Sequence, residues 1–242
     1  MNVTPASEIS LQALDSYDWV AINQDLDNQG YAVLKNLLPA DDCQTMAALY
    51  DTDNIFRNRI IMGKHGFGSG EYQYFNYPLP NIIAELRTEL YSKLVSTANR
   101  WQQQLNLEAR FPEQYEAFIE QCHQAEQTKP TPLLVKYGAD DYNCLHQDLY
   151  GEQVFPLQLA VLLSHPEIDF SGGEFVLTEQ RPRMQSKVEI VPLKQGDAVV
   201  FATRQRPVAG KKGYYRVNMR HGVSRIRSGL RYVLGVIFHD AL

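Results

Sequence analysis

A chain of 242 residues, 44% apolar and 21% charged, is long enough for a sizeable packed core and has an ordinary globular composition. Its formal net charge of −5 argues against a dedicated DNA-binding domain, and it lacks the run of roughly 18 apolar residues that spans a membrane. Met1 to Ser10 has neither the basic start nor the apolar stretch of a secretory signal, and Cys43, Cys122 and Cys144 are too few and too scattered for a disulfide framework, so a reducing, cytoplasmic setting is expected.

Residues 1–130 read as mainly helical and 131–242 as a β core, within one domain over 1–242. Ser16 to Gln29 places apolar residues at Tyr17, Val20, Ala21 and Leu26, which predicts a helix stopped by Gly30. Tyr31 to Leu34 reads as a strand, and Pro39-Ala-Asp-Asp42 opens a second helix with acids in its first turn. Residues 55–80, rich in Gly, Tyr, Phe and Asn, predict loops and short strands. Long helical spacing follows from Asn81 to Asn106, and another helix from Pro112 to Gln127.

Beyond Pro130 the pattern changes to short apolar runs divided by turn residues. Leu133 to Tyr137, Leu157 to Leu163, Gly173 to Leu177, Val188 to Pro192, Ala198 to Phe201 and Tyr232 to Phe238 are all strand-like. That series predicts an α+β protein built on a sandwich or barrel such as a jelly roll, with helices on its outer face.

Three side chains in this half carry a chemistry. His146 and Asp148 are two residues apart, so on extended backbone both face one side and Gln147 faces the other. His221 stands far downstream, where a rolled sheet can return it to the same point. Two neutral imidazoles and one carboxylate on one face of a ferrous ion leave open positions, the arrangement of non-haem iron oxygenases. A His-x-Asp pair alone is a weak signal, and His65, His123, His165 and His239 are by default surface or core histidines. Arg231 heads the apolar run Tyr232 to Phe238, and a cation entering a buried strand needs a partner. That partner is either the carboxylate of an acidic co-substrate or, for a purely structural arginine, a salt bridge to a helix.

Taken together, Tyr137, His146-Gln-Asp148, Gly172-Gly-Glu-Phe175, Gln195-Gly-Asp197, His221 and Arg231 resemble the Fe(II)/2-oxoglutarate-dependent dioxygenase superfamily. Gly30 to Leu34 followed by Leu38-Pro-Ala-Asp-Asp42 is similar to the opening of many members. The resemblance implies a double-stranded β-helix with N-terminal and flanking helices. It implies iron bound by His146, Asp148 and His221, the C5 carboxylate of 2-oxoglutarate held by Arg231, and help from Tyr137 in binding the co-substrate. The implied reaction consumes dioxygen, releases succinate and carbon dioxide, and hydroxylates a substrate C–H. Gly68 to Pro80 and Arg231 to Asp240 more closely resemble a bacterial family described as oxygenases acting on damaged DNA. Alkylation-repair relatives carry a second arginine six residues after the first; here that position is Ile237, and the spacing from His221 to Arg231 is instead similar to that of hydroxylase branches.

Two features bear on the substrate. Residues 181–231 hold 13 Lys and Arg against Glu189 and Asp197 alone, including Arg204, Arg206, Lys211, Lys212, Arg216, Arg220, Arg225 and Arg227, a pattern that attracts phosphates unless acidic helices cancel it. Tyr72, Tyr74, Phe75 and Tyr77 either stack a base or form an apolar cover over the barrel mouth. Oxidative demethylation of alkylated nucleic acid and hydroxylation of a protein or small molecule both remain open. A non-catalytic jelly roll that senses metal or 2-oxoglutarate is the alternative from another class.

Overall fold

The computed structural model describes residues 14–242; the N-terminal stretch read above for a secretory signal lies outside them. Helix α1 (Trp19–Gln29) starts at Asp18, whose carboxylate accepts from the backbone N–H groups of Val20 and Ala21. It ends at Gly30, which takes φ 82° and returns its N–H to the Leu26 carbonyl. A side chain at Gly30 would also meet Arg206 Cδ at 2.7 Å, so glycine answers two demands in the sharp entry to β1 (Tyr31–Leu34). Helices α2 (Ala40–Ala48), α3 (Asn81–Gln104) and α4 (Tyr115–Gln124) follow, with short 3-10 turns at Leu49–Asp51 and Met62–Lys64. None of the described helices is long and apolar enough to cross a membrane.

The strands in chain order are β2 (Phe56–Ile61), β3 (Gly68–Ser69), β4 (Glu71–Phe75), β5 (Leu133–Tyr137), β6 (Tyr142–His146), β7 (Leu157–Leu162) and β8 (Phe170–Gly172). There follow β9 (Phe175–Gln180), β10 (Lys187–Val191), β11 (Ala198–Ala202), β12 (Gln205–Gly210), β13 (Gly213–Val223), β14 (Ile226–Gly229) and β15 (Arg231–Ile237). One antiparallel sheet has seven strands in the order β1-β11-β7-β15-β5-β4-β2. A smaller one runs β10-β9-β13-β6-β3, with β12 also paired to β13, and β8 pairs with β14. From β5 onward the chain alternates between the two main sheets: β5, β7, β11 and β15 in the large one, β6, β9 with β10, and β12 with β13 in the small one. This is the expected double-stranded β-helix, and it brings segments far apart in sequence onto adjacent strands.

The large sheet is covered on both faces, which is why its central strands are almost wholly apolar. Leu134, Leu159, Val161, Val200 and Leu234 point outward into one core with α1, α2 and α3 side chains such as Leu26, Met46, Leu90 and Leu94. Val135, Leu162, Val199, Phe201 and Val233 point inward, against Phe175, Leu177 and Val223 of the small sheet. At the end of the chain a buried network ties α3 to the last strand's exit. Arg87 donates to Asp240 at 2.8 Å, and Tyr77 and His123 reach the other Asp240 oxygen at 2.8 and 2.9 Å.

Residues 55–80 hold the short strands and turns expected of them, and β2 and β4 extend the large sheet, so Tyr74 and Phe75 are buried. One stretch differs from expectation: residues 205–223 form a hairpin whose second arm, β13, is the longest of the described strands. Its alternation of exposed Tyr214, Arg216 and Arg220 with inward Val217, Met219 and His221 has the strand period, but flanking glycines and basic residues mask it in sequence.

Candidate active site

The inner face of β6 ends at His146, and the residue directly opposite it on β13 is His221. Backbone pairing alone therefore sets the two imidazoles side by side, with ring centroids 4.1 Å apart. Asp148 lies just beyond the strand and turns its carboxylate between them. Its Oδ1 is 3.5 Å from His146 Nε2 and its Oδ2 is 3.2 Å from His221 Nε2. One ligand atom from each of the three lies within 4.8 Å of the others. The structure thus brings together all three residues singled out as metal ligands.

Each ring and the carboxylate are oriented by neighbours. His146 Nδ1 meets the Cys144 carbonyl at 2.7 Å, which requires the proton on Nδ1 and leaves the Nε2 lone pair free. His221 is held by packing: it stacks against Phe175 at 24° and lies 4.7 Å from the Phe201 ring, while its Nδ1 is buried with no hydrogen-bond partner. The Tyr150 hydroxyl donates to Asp148 Oδ1 at 3.0 Å and accepts from the Tyr74 hydroxyl at 2.9 Å. Gln158 donates to Asp148 Oδ2 at 2.9 Å.

The electrostatics follow from this crowding. Burial alone raises a carboxyl pKa, but the charge of His221 and hydrogen bonds from both imidazoles hold Asp148 well below the usual range. Burial opposes protonation of His146, yet the hydrogen bond and charge of Asp148 outweigh it and raise its pKa. His221 is lowered, first by burial and then by the charge of His146. An anionic carboxylate between two imidazoles of differing basicity is a donor set suited to a divalent cation.

A cavity of about 380 Å³ opens onto the triad. Arg231 and Tyr137 form its inner wall; they are direct partners across β15 and β5. Arg231 is 2% exposed and takes part in no ion pair among the described residues: its Nε and Nη1 are buried with no acceptor. Aromatic rings flank it instead, with Tyr137 and Phe170 each 5.7 Å from the guanidinium carbon. Burial pushes its pKa down to about 10, against the opposite pull of Tyr137 and Glu174. Burial likewise pushes Tyr137 up to about 12, though Arg231 draws it down, and the Tyr137 hydroxyl accepts from Asn143 at 3.2 Å. The salt bridge to a helix expected of a structural arginine is absent among the described residues. A buried guanidinium facing a cavity with free donors fits a carboxylate brought in by a ligand.

Tyr150, Gln158 and Asn143 escaped the reading of the sequence. Gln158 left a signal: it is a polar residue, 2% exposed, in the otherwise apolar strand β7, and a buried polar group is the informative exception. Tyr150 left none: Asp148 is only two residues away, but nothing in the spacing shows that its hydroxyl turns back to that carboxylate, and its other partner, Tyr74, comes from a distant segment. The four aromatic residues of the Tyr72 to Tyr77 segment do not act as one unit. Tyr72 lines the cavity, Tyr74 bonds Tyr150, Phe75 is in the main core, and Tyr77 serves Asp240. The basic run divides too: Arg206 is buried against Glu179, Arg225 pairs with Asp140, and Arg231 lines the cavity.

A family model described as an oxygenase catalysing oxidative methylation of damaged DNA matches residues 70–241. Two uncharacterized proteins of Mycobacterium tuberculosis, from strains CDC 1551 / Oshkosh and ATCC 25618 / H37Rv, are 50% identical over 167 residues, 69% of this chain and 72% of theirs. Among solved structures, a prolyl hydroxylase from Trichoplax adhaerens, in complex with a hypoxia inducible factor peptide fragment, superposes with a TM-score of 0.57 at 13% identity, covering 98% of this chain and 96% of that one. A 2OG-Fe(II) oxygenase family oxidoreductase from Burkholderia pseudomallei gives 0.54 at 15% identity over 93% and 94% of the two chains. A prolyl-4-hydroxylase from Pseudomonas putida gives 0.52 at 15% identity over 90% and 96%. At such identities the structural likeness concerns the fold.

Proposed function

Because the chain belongs to the family of oxygenases described as catalysing oxidative methylation of damaged DNA, we propose that His146, Asp148 and His221 hold its ferrous iron and that Arg231, beside Tyr137, anchors its 2-oxoglutarate. Family and fold make it an Fe(II)- and 2-oxoglutarate-dependent oxygenase that uses dioxygen. When bound, the iron supplies a centre where dioxygen is reduced as 2-oxoglutarate loses carbon dioxide to become succinate, one oxygen atom going to a substrate C–H.

The observation that carries this reading is the buried, unpartnered Arg231 guanidinium in the same cavity as the triad. A bidentate grip on the far carboxylate directs the other end of the co-substrate toward His146, Asp148 and His221. Tyr150 and Gln158 keep the Asp148 carboxylate turned to the metal, and His146 keeps its Nε2 lone pair available through the Cys144 carbonyl. We read residues 1–242 as one dioxygenase domain, in which the helices close the outer face of the large sheet.

The substrate we propose is a methylated base in damaged DNA. Insertion of oxygen into an N-methyl C–H gives an N-hydroxymethyl group, which collapses to the free N–H and formaldehyde. The damaged DNA of the family description supports a nucleic-acid target. A second reading, hydroxylation of a peptide or small molecule, is favoured by Ile237, an apolar residue that lines the cavity at the position where repair relatives carry arginine.

The test incubates dialysed protein with Fe(II), ascorbate and air, with and without 2-oxoglutarate, and with methylated oligonucleotide or peptide. We expect succinate release that His146→Ala or Asp148→Ala abolishes without unfolding the protein. Full turnover in either variant would reject the iron assignment. Formaldehyde from the oligonucleotide supports dealkylation, whereas a stable alcohol on the peptide supports the second reading.

A further inference from the structure

We propose that the outer face of the β12–β13 hairpin is the docking surface for the sugar-phosphate backbone of the nucleic acid, and that it leads this backbone past the iron site; the inference rests on the damaged-DNA reading above. The sheet register places this face beside the chemistry. Asn218 of β13 pairs with Gln180 of β9 on one edge and with Gln205 of β12 on the other. His221, three residues further along β13, pairs with His146 of β6 on that same second edge. Strands β6 and β12 therefore follow one another along one side of β13, and the triad sits where the first ends and the second begins. Gln147 bridges this break, donating to the carbonyls of Arg204 and Met219 at 3.0 and 2.8 Å.

The two faces of β13 have opposite character. Val217, Met219 and His221 turn inward and are buried, while Tyr214, Arg216, Asn218 and Arg220 turn outward and are exposed. Lys211 and Lys212 form the hairpin tip, and Arg204 precedes β12 beside the break; all three are exposed. No Asp or Glu occurs from Ala198 to His239, so the hairpin carries cations alone. The neighbouring cations that do have carboxylate partners are not on this face: Arg206 of β12 is buried and shares Glu179 with Arg181, and Arg225, beyond the hairpin, takes Asp140. Arg204, Lys211, Lys212, Arg216 and Arg220 take part in no ion pair among the described residues.

Charge complementarity commits the face to a polyanion. The chain is acidic overall, with a formal net charge of −5, yet here unpaired cations run along one strand from its free tip to the residue before His221. Same-face neighbours on a strand recur every second residue, about 6.5 Å apart, and the outward cations Arg216 and Arg220 alternate with Tyr214 and Asn218, so they stand about 13 Å apart. Cations spaced along a strand in this way track a repeating phosphate chain, whereas a single small anion needs only one pocket. Arg220 precedes His221 in the chain and turns to the opposite face of the sheet, so a backbone held there runs behind the triad, beside the break that Gln147 bridges.

The experiment compares the wild-type protein, the variant Lys211→Gln/Lys212→Gln/Arg216→Gln/Arg220→Gln, and a control, Lys93→Gln/Arg110→Gln, on the helical side. Each is loaded with Mn(II) and N-oxalylglycine, and binding to a fluorescent single-stranded oligonucleotide is followed by anisotropy across a salt series. The hairpin variant is expected to bind about tenfold or more weakly, while the control is unchanged. Its log–log salt slope should be shallower by about 0.7 for each phosphate that it no longer neutralises. With Fe(II) and methylated oligonucleotide, KM rises and kcat at saturation holds. Succinate release without nucleic acid also holds. A hairpin variant that binds with wild-type affinity and slope overturns the docking face, and turnover of the oligonucleotide would still leave the DNA reading standing. Wild-type protein that binds no oligonucleotide sinks both.

Discussion

His146 and His221 are direct partners across β6 and β13, whereas Asp148 stands outside any strand and is held by side chains alone. The imidazoles are thus fixed by backbone hydrogen bonds. The carboxylate depends on Tyr150 at 3.0 Å and Gln158 at 2.9 Å. This difference locates the weak point of the site.

Tyr150→Phe is expected to lower Mn(II) affinity by about 10-fold or more, the usual cost of losing a hydrogen bond that orients a ligand. Tyr74→Phe acts only through the Tyr150 hydroxyl and should cost less. Titration calorimetry checks both. Wild-type affinity in Tyr150→Phe would show that the phenol merely packs.

Arg231→Met tests whether the guanidinium serves a ligand or the fold. A buried cation with no anionic partner destabilises the ligand-free protein, so the variant should be as stable as wild type or more so, by up to ~1–4 kcal/mol. It should also lose the rise in Tm that 2-oxoglutarate gives the Mn(II)-loaded protein. A marked fall in ligand-free stability would mean that Arg231 has a structural role.

His239 sets a pH dependence. It is fully buried, and burial pushes its pKa down from 6.5 to about 3. The unfolded chain therefore takes up this proton first as the pH falls. Stability is whole above 6.5 and is lost below it, by up to ~1.4 kcal/mol per pH unit until about pH 3. His221, also lowered, acts in the same direction, and His146, raised, acts in the opposite one. His239→Gln should flatten the decline measured by urea unfolding between pH 7 and 4.5; an unaltered slope would assign the acid sensitivity to other groups.

Arg87 and Asp240, 1% and 0% exposed, form the principal buried ion pair behind the last strand. Arg87→Met strands a buried carboxylate and should cost ~3–5 kcal/mol of unfolding free energy. Adding Asp240→Asn should restore part of this loss, because the uncompensated charge is then gone. Equal stability of the single and double variants would show that packing, not charge, dominates here.

The alternation of short apolar runs after Pro130 determined the β class by itself, because a strand buried on both faces has few polar residues to place. The i, i+2 spacing of His146 and Asp148 likewise made a shared direction legible, and Arg231 stood out as a cation heading a buried strand. What the sequence could not contain is proximity. The register that sets His221 against His146 arises only when the chain alternates between two sheets. The Tyr74–Tyr150–Asp148 chain joins two separate segments, and the lack of a hydrogen-bond acceptor for Arg231 Nε and Nη1 is a property of everything packed near it. The same holds for the basic run, which burial split into core, cavity and surface cations. Local periodicity follows from covalent spacing, but a site's partners and its unmet hydrogen bonds are decided by long-range packing.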